Sequence, residues 1–351
     1  MAPVTEPARP KRVGIREVAA AAGVSVTTVS HALNGKGRLP ESTRDAVRDV
    51  ARRLGYRPNL SAQRLVGGRT GLLGLTLAHP GSGTPATLTD IAYFVQLLTA
   101  ASTTALARRY ALVLSTGVGD SDDEVWQQTS LDGAVVVDPV ADDPTVTALR
   151  AAGTPVVTTG RLPVQPGAEE SEPIWVDNDH VDGTRRLLTH LERAGARRIS
   201  LITAPLLTSY AIDLHRTYQA WCHERGVEPD VVIAQDDLGE RAGFAAAEQL
   251  LERGRPDAIL GALDRLAVGA QLAAKARGLS IPDDILIAGY TDAPAHLHAE
   301  PSLTALQLHP AEIGRRAVEL LIALVEDEPI AERHVVVPTQ LLPRGSTRRR
   351  R

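Results

Sequence analysis

Residues 14–35 read GIREVAAAAGVSVTTVSHALNG, and this stretch decides the reading of the whole chain. Ile15, Val18, Ala19 and Ala22 recur at helical spacing and run into Gly23. Ser25 then stands where a helix cap belongs, and a second short helix is expected over Val26–Leu33. Helix, tight glycine turn, helix is the layout of a DNA-reading helix-turn-helix, whose second helix enters the major groove. A third helix is expected from near Ser42, with Val47, Val50, Ala51 and Leu54 on one face and Gly55 past its end. The three helices share a small apolar core that ends near Tyr56.

The charge distribution agrees. Residues 1–70 carry 13 Lys and Arg against 5 Asp and Glu, about +8, while the remainder carries about −12, although the whole chain sums to only −4. A basic head on an acidic body suits a DNA-binding module carried by a core that does not touch DNA. The single cysteine, Cys222, excludes a disulfide framework and a thiolate metal cluster. No apolar run is long enough to span a bilayer, and the first residues lack the apolar stretch of a secretion signal, so a cytoplasmic protein is expected. Gly-x-Ser-x-Gly, HExxH and P-loop patterns are absent, and His296-x-His298 lacks a third ligand. The expectation is therefore no enzyme, no metal and no cofactor.

Past residue 71 the texture changes. Apolar strands are expected at Leu72–Leu77, Ala111–Ser115, Ala134–Val137, Val156–Thr158, Ile199–Ile202, Val231–Ala234, Ala258–Leu260 and Ile285–Ala288. Helical patterns alternate with them: Ile91–Arg108, Thr145–Ala152, Gly183–Ala194, Tyr210–Arg225, Gly239–Arg253, Leu266–Arg277 and Pro310–Glu326. Near-continuous apolar strands alternating with helices imply parallel sheets covered on both faces, and the number of units implies two of them. Between head and core, Pro58 breaks the third helix, Asn59 can cap a short helix over Leu60–Val66, and Gly67-Gly68 ends it. A helix that short is marginal alone. The domain plan is a disordered arm (1–13), a helix-turn-helix domain (14–57), a hinge (58–69), a core (70–343) and a disordered basic tail (344–351). The expected fold class is an all-α helix-turn-helix domain followed by an α/β core of two doubly wound parallel-sheet subdomains.

The chain resembles the LacI-type (lactose/galactose repressor) family of bacterial transcription regulators. The resemblance rests on VAAAAGVSVTTVSHALNG and TRDAVRDVARRLGYRPN (43–59), on GRTGLLGL (68–75), and on weaker core motifs in the family's order. These are LDGAVV (131–136), PVV (155–157), VDND (176–179), IPDDILIAGYTD (281–292), PSLTALQ (301–307) and GRRAVELL (314–321). It implies a homodimer on a pseudo-palindromic operator, hinge helices paired in the minor groove, and a periplasmic-binding-protein-like core closing on a small-molecule effector. Val26, Thr27 and His31 match the family's base-reading positions; His31 replaces a common arginine and offers one bond to a base where arginine offers two. Ser25, Thr28, Ser30 and Asn34 have short side chains suited to phosphates. Thr43, Tyr56 and Asn59 complete the head's expected DNA contacts. Leu65 matches the family's minor-groove wedge, with Ala62 small beside it and Arg64 attracted to phosphate.

For the effector, Asp264 matches the family's ligand carboxylate, and His79, Tyr210, Tyr290 and Asp292 are further candidates. The family's pocket arginine falls on Leu214, the Asn before its carboxylate on Leu263, and the first Asp of its GFDD-like turn on Thr291. Without that arginine, the cleft is expected to hold carboxylates and no fixed cation, which favours a neutral or cationic ligand. On this reading the expected effector is a sugar, a polyol or a nucleoside-like molecule. An effector-independent or activating regulator, or a cytoplasmic binding protein or enzyme on the same core, remain alternatives.

Overall fold

The computed structural model describes residues 13–34, 37–56, 69–77, 92–115, 129–163, 174–205, 207–234, 239–254 and 256–348. The chain divides into two compact units, Met1–Thr70 and Gly71–Arg351.

In the first unit, α1 (Ile15–Ala22), α2 (Val26–Asn34) and α3 (Glu41–Arg53) surround a core of Val18, Ala19, Val29, Ala32, Val47, Val50 and Ala51. Gly14 N–H donates to Glu17 Oε2 at 2.7 Å, closing the first turn of α1. Gly23, at φ +66°, ends that helix, and the Val24 N–H returns to the Ala19 carbonyl at 3.1 Å. Ser25 Oγ accepts the Thr28 N–H at 3.0 Å and so caps α2. Leu54, expected on the buried face, is 37% exposed. It caps α3, beyond the helical register, just before Gly55 reverses the chain at φ +65°.

The second unit has two lobes. The N-lobe sheet is entirely parallel, with strand order β11-β5-β4-β3-β1-β2. Its strands are β1 (Leu72–Leu77), β2 (Ala111–Ser115), β3 (Gly133–Val137), β4 (Val156–Thr159), β5 (Ile174–Asn178) and β11 (His334–Val337). Side chains alternate across it. Val135 and Val137 join the cluster under α4 (Ala92–Ala107) and α11 (Pro310–Val325), whereas Ala134 and Val136 meet Val146 and Leu149 of α5 (Pro144–Ala151). The C-lobe holds the parallel sheet β7-β6-β8-β9 and the antiparallel ribbon β10-β12. These strands are β6 (Ile199–Thr203), β7 (Asp230–Ile233), β8 (Ala258–Gly261), β9 (Leu286–Gly289), β10 (Ala305–Gln307) and β12 (Gln340–Leu342). Leu201, Leu260 and Leu286 pack toward α6 (His180–Arg193) and α7 (Ser209–Glu224). Ile202, Ile259 and Ile287 face α8 (Glu240–Arg253) and α9 (Asp264–Ala276). A short α10 (Pro294–His298) follows β9.

Observed boundaries lie within about three residues of those expected, and four strands are additional: β5, β10, β11 and β12. The tail expected to be disordered over 344–351 is instead sewn into the C-lobe as far as Arg348. Ser346 Oγ donates to the Ile287 carbonyl at 2.6 Å and accepts the Thr304 N–H at 2.9 Å. Thr347 Oγ1 bonds Thr304 Oγ1 and His190 Nε2. Small hydroxyl side chains fill backbone bonding positions there, which the segment's basic composition conceals.

Candidate functional site

On the head, α2 buries Val29 and Ala32 and turns the opposite face outward. Ser25, Val26 and Thr27 are exposed; Thr28, Ser30, His31, Thr43 and Tyr56 are partly so. Val26, Thr27, Ser30 and His31 share one side because they stand at i, i+1, i+4 and i+5. The His31 ring lies against Gly37, where a Cβ would come within 2.7 Å of Nδ1. Arg44 pins that loop by donating to the Gly37 carbonyl at 2.7 Å. Tyr56 packs on the head's core, and burial raises its phenol above the ordinary range. The side chain of Asn34, and Asn59, Ala62, Arg64, Leu65 with the expected hinge helix, lie outside the described residues, as does His79.

In the core, the C-terminal ends of three N-lobe strands meet the start of α7. Asp138 follows β3, Arg161 follows β4, and Asp177 sits near the end of β5. Gly160, at φ +92°, makes the approach possible: a Cβ there would lie 3.2 Å from Asp138 Oδ1 and 3.3 Å from Ser209 Oγ. From the C-lobe, α7 brings Ser209 and Asp213 on one face, and a bridge between Val140 and Thr208 joins the lobes beside them. Arg161 is shared. Its Nε donates to Asp177 Oδ2 at 3.2 Å, its Nη2 to Asp213, and its backbone N–H to Ser209 Oγ at 3.2 Å. Asp177 Oδ1 faces His180 Nε2 at 2.8 Å, and the other ring nitrogen meets the Tyr290 hydroxyl at 2.9 Å. A carboxylate can only accept, so Nε2 carries a proton toward Asp177.

These contacts set the charges. Burial opposes ionisation of Asp177, but the His180 hydrogen bond and the nearby charges of His180 and Arg161 outweigh it and hold the carboxyl below its usual range. Asp138 goes the other way: burial, then the Asp177 charge, push it up to about 7, with His180 opposing. Burial, and next the charge of Asp138, raise the phenols of Tyr93 and Tyr210, so both stay protonated as donors.

Of the expected effector residues, Tyr210 stands by this group, its ring 6.1 Å from that of His180. Tyr290 is fully buried with its hydroxyl committed to His180, so it supports the junction from behind and presents no surface to a ligand. Asp264 and Asp292 meet around the buried His296. His296 Nε2 bonds the Asp264 carbonyl at 3.1 Å, and Asp292 forms a two-pronged pair with Arg344 at 2.6 and 2.9 Å. Leu214 is buried core, as its apolar side chain requires. The expected absence of a fixed cation is corrected by Arg161, which supplies one from the opposite lobe. Asp138, Arg161, Asp177, Ser209 and Asp213 were not singled out from the sequence. Their signal is position: ligand groups in open parallel sheets follow strand C-termini.

A helix-turn-helix head ahead of a two-lobed parallel core with a polar junction defines a class of ligand-responsive DNA-binding regulators. Residues 14–59 match the family described as bacterial regulatory proteins, lacI family, and residues 188–347 match the periplasmic binding protein-like domain. The chain thus carries a helix-turn-helix domain of the lacI family and a periplasmic-binding-protein-like domain, and it is a ligand-controlled DNA-binding transcriptional regulator. It is 29% identical to the HTH-type transcriptional regulator CelR of Thermobifida fusca over 344 residues, 96% of this chain and 99% of that one. It is 26% identical to the HTH-type transcriptional repressor PurR of Salmonella paratyphi A over 342 residues, 95% of this chain and 96% of that one. Among solved structures, the CelR–cellobiose complex superposes with a TM-score of 0.72 at 28% identity, covering 95% of this chain and 100% of that one. The lac repressor dimer bound to operator and the anti-inducer ONPF reaches 0.81 at 24% identity, covering 96% and 99%, a likeness of fold. No described helix is long and apolar enough to cross a membrane.

Proposed function

We propose that the chain is a homodimeric repressor that binds a pseudo-palindromic operator and whose grip is set by a neutral, hydroxyl-rich small molecule held at the lobe junction. The observation that carries this reading is the joint set of Asp138, Arg161, Asp177, Ser209 and Asp213, drawn from both lobes at strand C-termini. Carboxylates accept from ligand hydroxyls, and the protonated tyrosines Tyr93 and Tyr210 donate. An anionic ligand is disfavoured because the Arg161 guanidinium is already divided between two carboxylates. The cellobiose found with CelR supports a saccharide. The protein works by binding rather than catalysis, in the cytoplasm where its DNA is. On the head, Val26, Thr27 and His31 read bases, Ser25, Thr28, Ser30 and Asn34 hold phosphates, and Leu65 of the hinge wedges the minor groove.

Binding-site selection with the full chain tests both halves. The selected sites should be inverted repeats, and His31→Ala should relax preference at one half-site position by about 1–3 kcal/mol while other positions keep theirs. On that operator, fluorescence anisotropy with cellobiose and with glucose 6-phosphate should show a response to the neutral sugar alone. An unchanged consensus with His31→Ala refutes its base-reading role; a response to the phosphorylated sugar refutes the ligand class.

A further inference from the structure

Three chain crossings join the two lobes: β5 to α6, β10 to α11, and β11 to β12. The first passes through Asn178, the second through Leu308 and His309, the third through the two residues after Val337. Asn178 is buried, 5% exposed, and ends the N-lobe strand β5. Its amide Nδ2 donates to the Leu308 carbonyl at 2.9 Å and to the Val337 carbonyl at 3.0 Å. Both hydrogens of one side chain thus go to the other two crossings. The next residue repeats one of the ties, since the Asp179 N–H donates to the same Val337 carbonyl at 3.2 Å.

We infer that Asn178 is the residue that binds the three crossings into one hinge and so sets how far the lobes open and close on a ligand. The chemistry needs this side chain. An aspartate has the same shape but no donors and would set a carboxylate against two carbonyls; a leucine fills the volume, takes the side-chain donor from both carbonyls and leaves Val337 only the Asp179 N–H. Hinge closure concentrates backbone change in a few residues at element ends, which is where Asn178, Leu308 and Val337 stand. The knot is also joined to the polar junction, because the Asn178 N–H donates to Asp177 Oδ1 at 2.8 Å. The same carboxylate that takes His180 and Arg161 is therefore held by the hinge residue, and a shift of either moves the other. Asn178 is a positioning residue, not a ligand contact. This goes beyond the regulatory reading above and does not depend on the ligand's identity.

The test uses the full chain with spin labels on exposed positions of each lobe, Ala148→Cys in α5 and Lys275→Cys in α9, diluted with unlabelled chain so that only distances within one chain are read. Cys222 is 1% exposed and stays unlabelled. The parent should give one narrow interlobe distance distribution. Asn178→Leu and Asn178→Asp should at least double its width. In hydrogen exchange the segments 306–310 and 336–340 should lose protection together by tenfold or more, while β6 and β8 keep theirs. Asn178→Ser, which keeps one donor on a shorter arm, is read the same way where a larger change prevents folding. A distribution of unchanged width, a loss of protection confined to 174–180, or an equal loss throughout both sheets would each overturn the inference. All three readings are made without DNA or ligand, so they stand whether or not the operator and saccharide assignments hold.

Discussion

Ion pairs on the head and ion pairs at the lobe junction use the same residue types in opposite settings. On α3, Arg44, Arg48 and Arg52 reach Glu41, Asp45 and Asp49, one helical turn away, and all but the largely covered Arg44 stand well out in water. Such pairs are worth about 0–1 kcal/mol each. At the junction, Asp177 is 6% exposed, and its partners come from three separate elements. There the charges hold the lobes' geometry, and removing one strands the others. The head can lose such pairs at little cost to its fold; the junction has no such freedom.

The largest expected effect breaks the junction. Arg161→Met leaves Asp177 and Asp213 without their shared cation and should cost about 3 kcal/mol, the low end for a broken buried pair because the guanidinium is partly exposed. Denaturant unfolding measures it. A loss below about 1 kcal/mol would put the junction in the same class as the head. Asp138 sharpens the contrast through pH. With its carboxyl at about 7 in the folded protein, the native state keeps a proton that the unfolded chain has released above about pH 4. Stability is therefore lost as pH rises from about 4 to about 7 and is level beyond. Asp138→Asn should remove that slope, a gain on the order of 4 kcal/mol at pH 8 and little at pH 4. Parallel stability profiles for the parent and the variant would show that Asp138 is not buried as described. The smallest effects lie on the head. Ser25→Ala removes the α2 cap and should cost about 1 kcal/mol. Asp49→Ala, which deletes an exposed pair on α3, should leave the head's melting temperature unchanged within error.

How much of this was legible beforehand follows from distance along the chain. The three head helices are local events: Ser25 caps three residues on, Gly23 and Gly55 reverse the chain beside the helices they end, and periodicity alone marks Val18, Ala19, Val47 and Val50 as core. The main β and α elements of the core declare themselves by apolar runs such as GAVVV at 133–137. The strands passed over, β5, β10, β11 and β12, are three to five residues long, and their stability comes from partners far away, as when Trp175 of β5 pairs in register with His334 of β11. The junction is hidden for the same reason. Arg161 and Asp213 are 52 residues apart, and no local pattern couples them. Asp292 shows the same from the other side: it follows β9, where a ligand group is expected, and its two-pronged partner Arg344 comes from a segment expected to be a loose tail.

The N-lobe is discontinuous. Its first portion ends at Asn178, and α11 and β11, which complete its core and sheet edge, come from residues 310–337 after the C-lobe's sheet. Gly314 of α11 lies so close to Leu97 of α4 that a side chain there would strike the helix backbone. During synthesis at about 5–20 residues per second, the face of α4 bearing Leu97, Ala101 and Ala105 waits roughly 10–40 seconds for its cover. The head, whose helices end by Arg53, has no such wait. A nascent chain of this protein thus carries a helix-turn-helix ready to fold above a half-built lobe with an open apolar face, the stage at which a holding chaperone has most to protect.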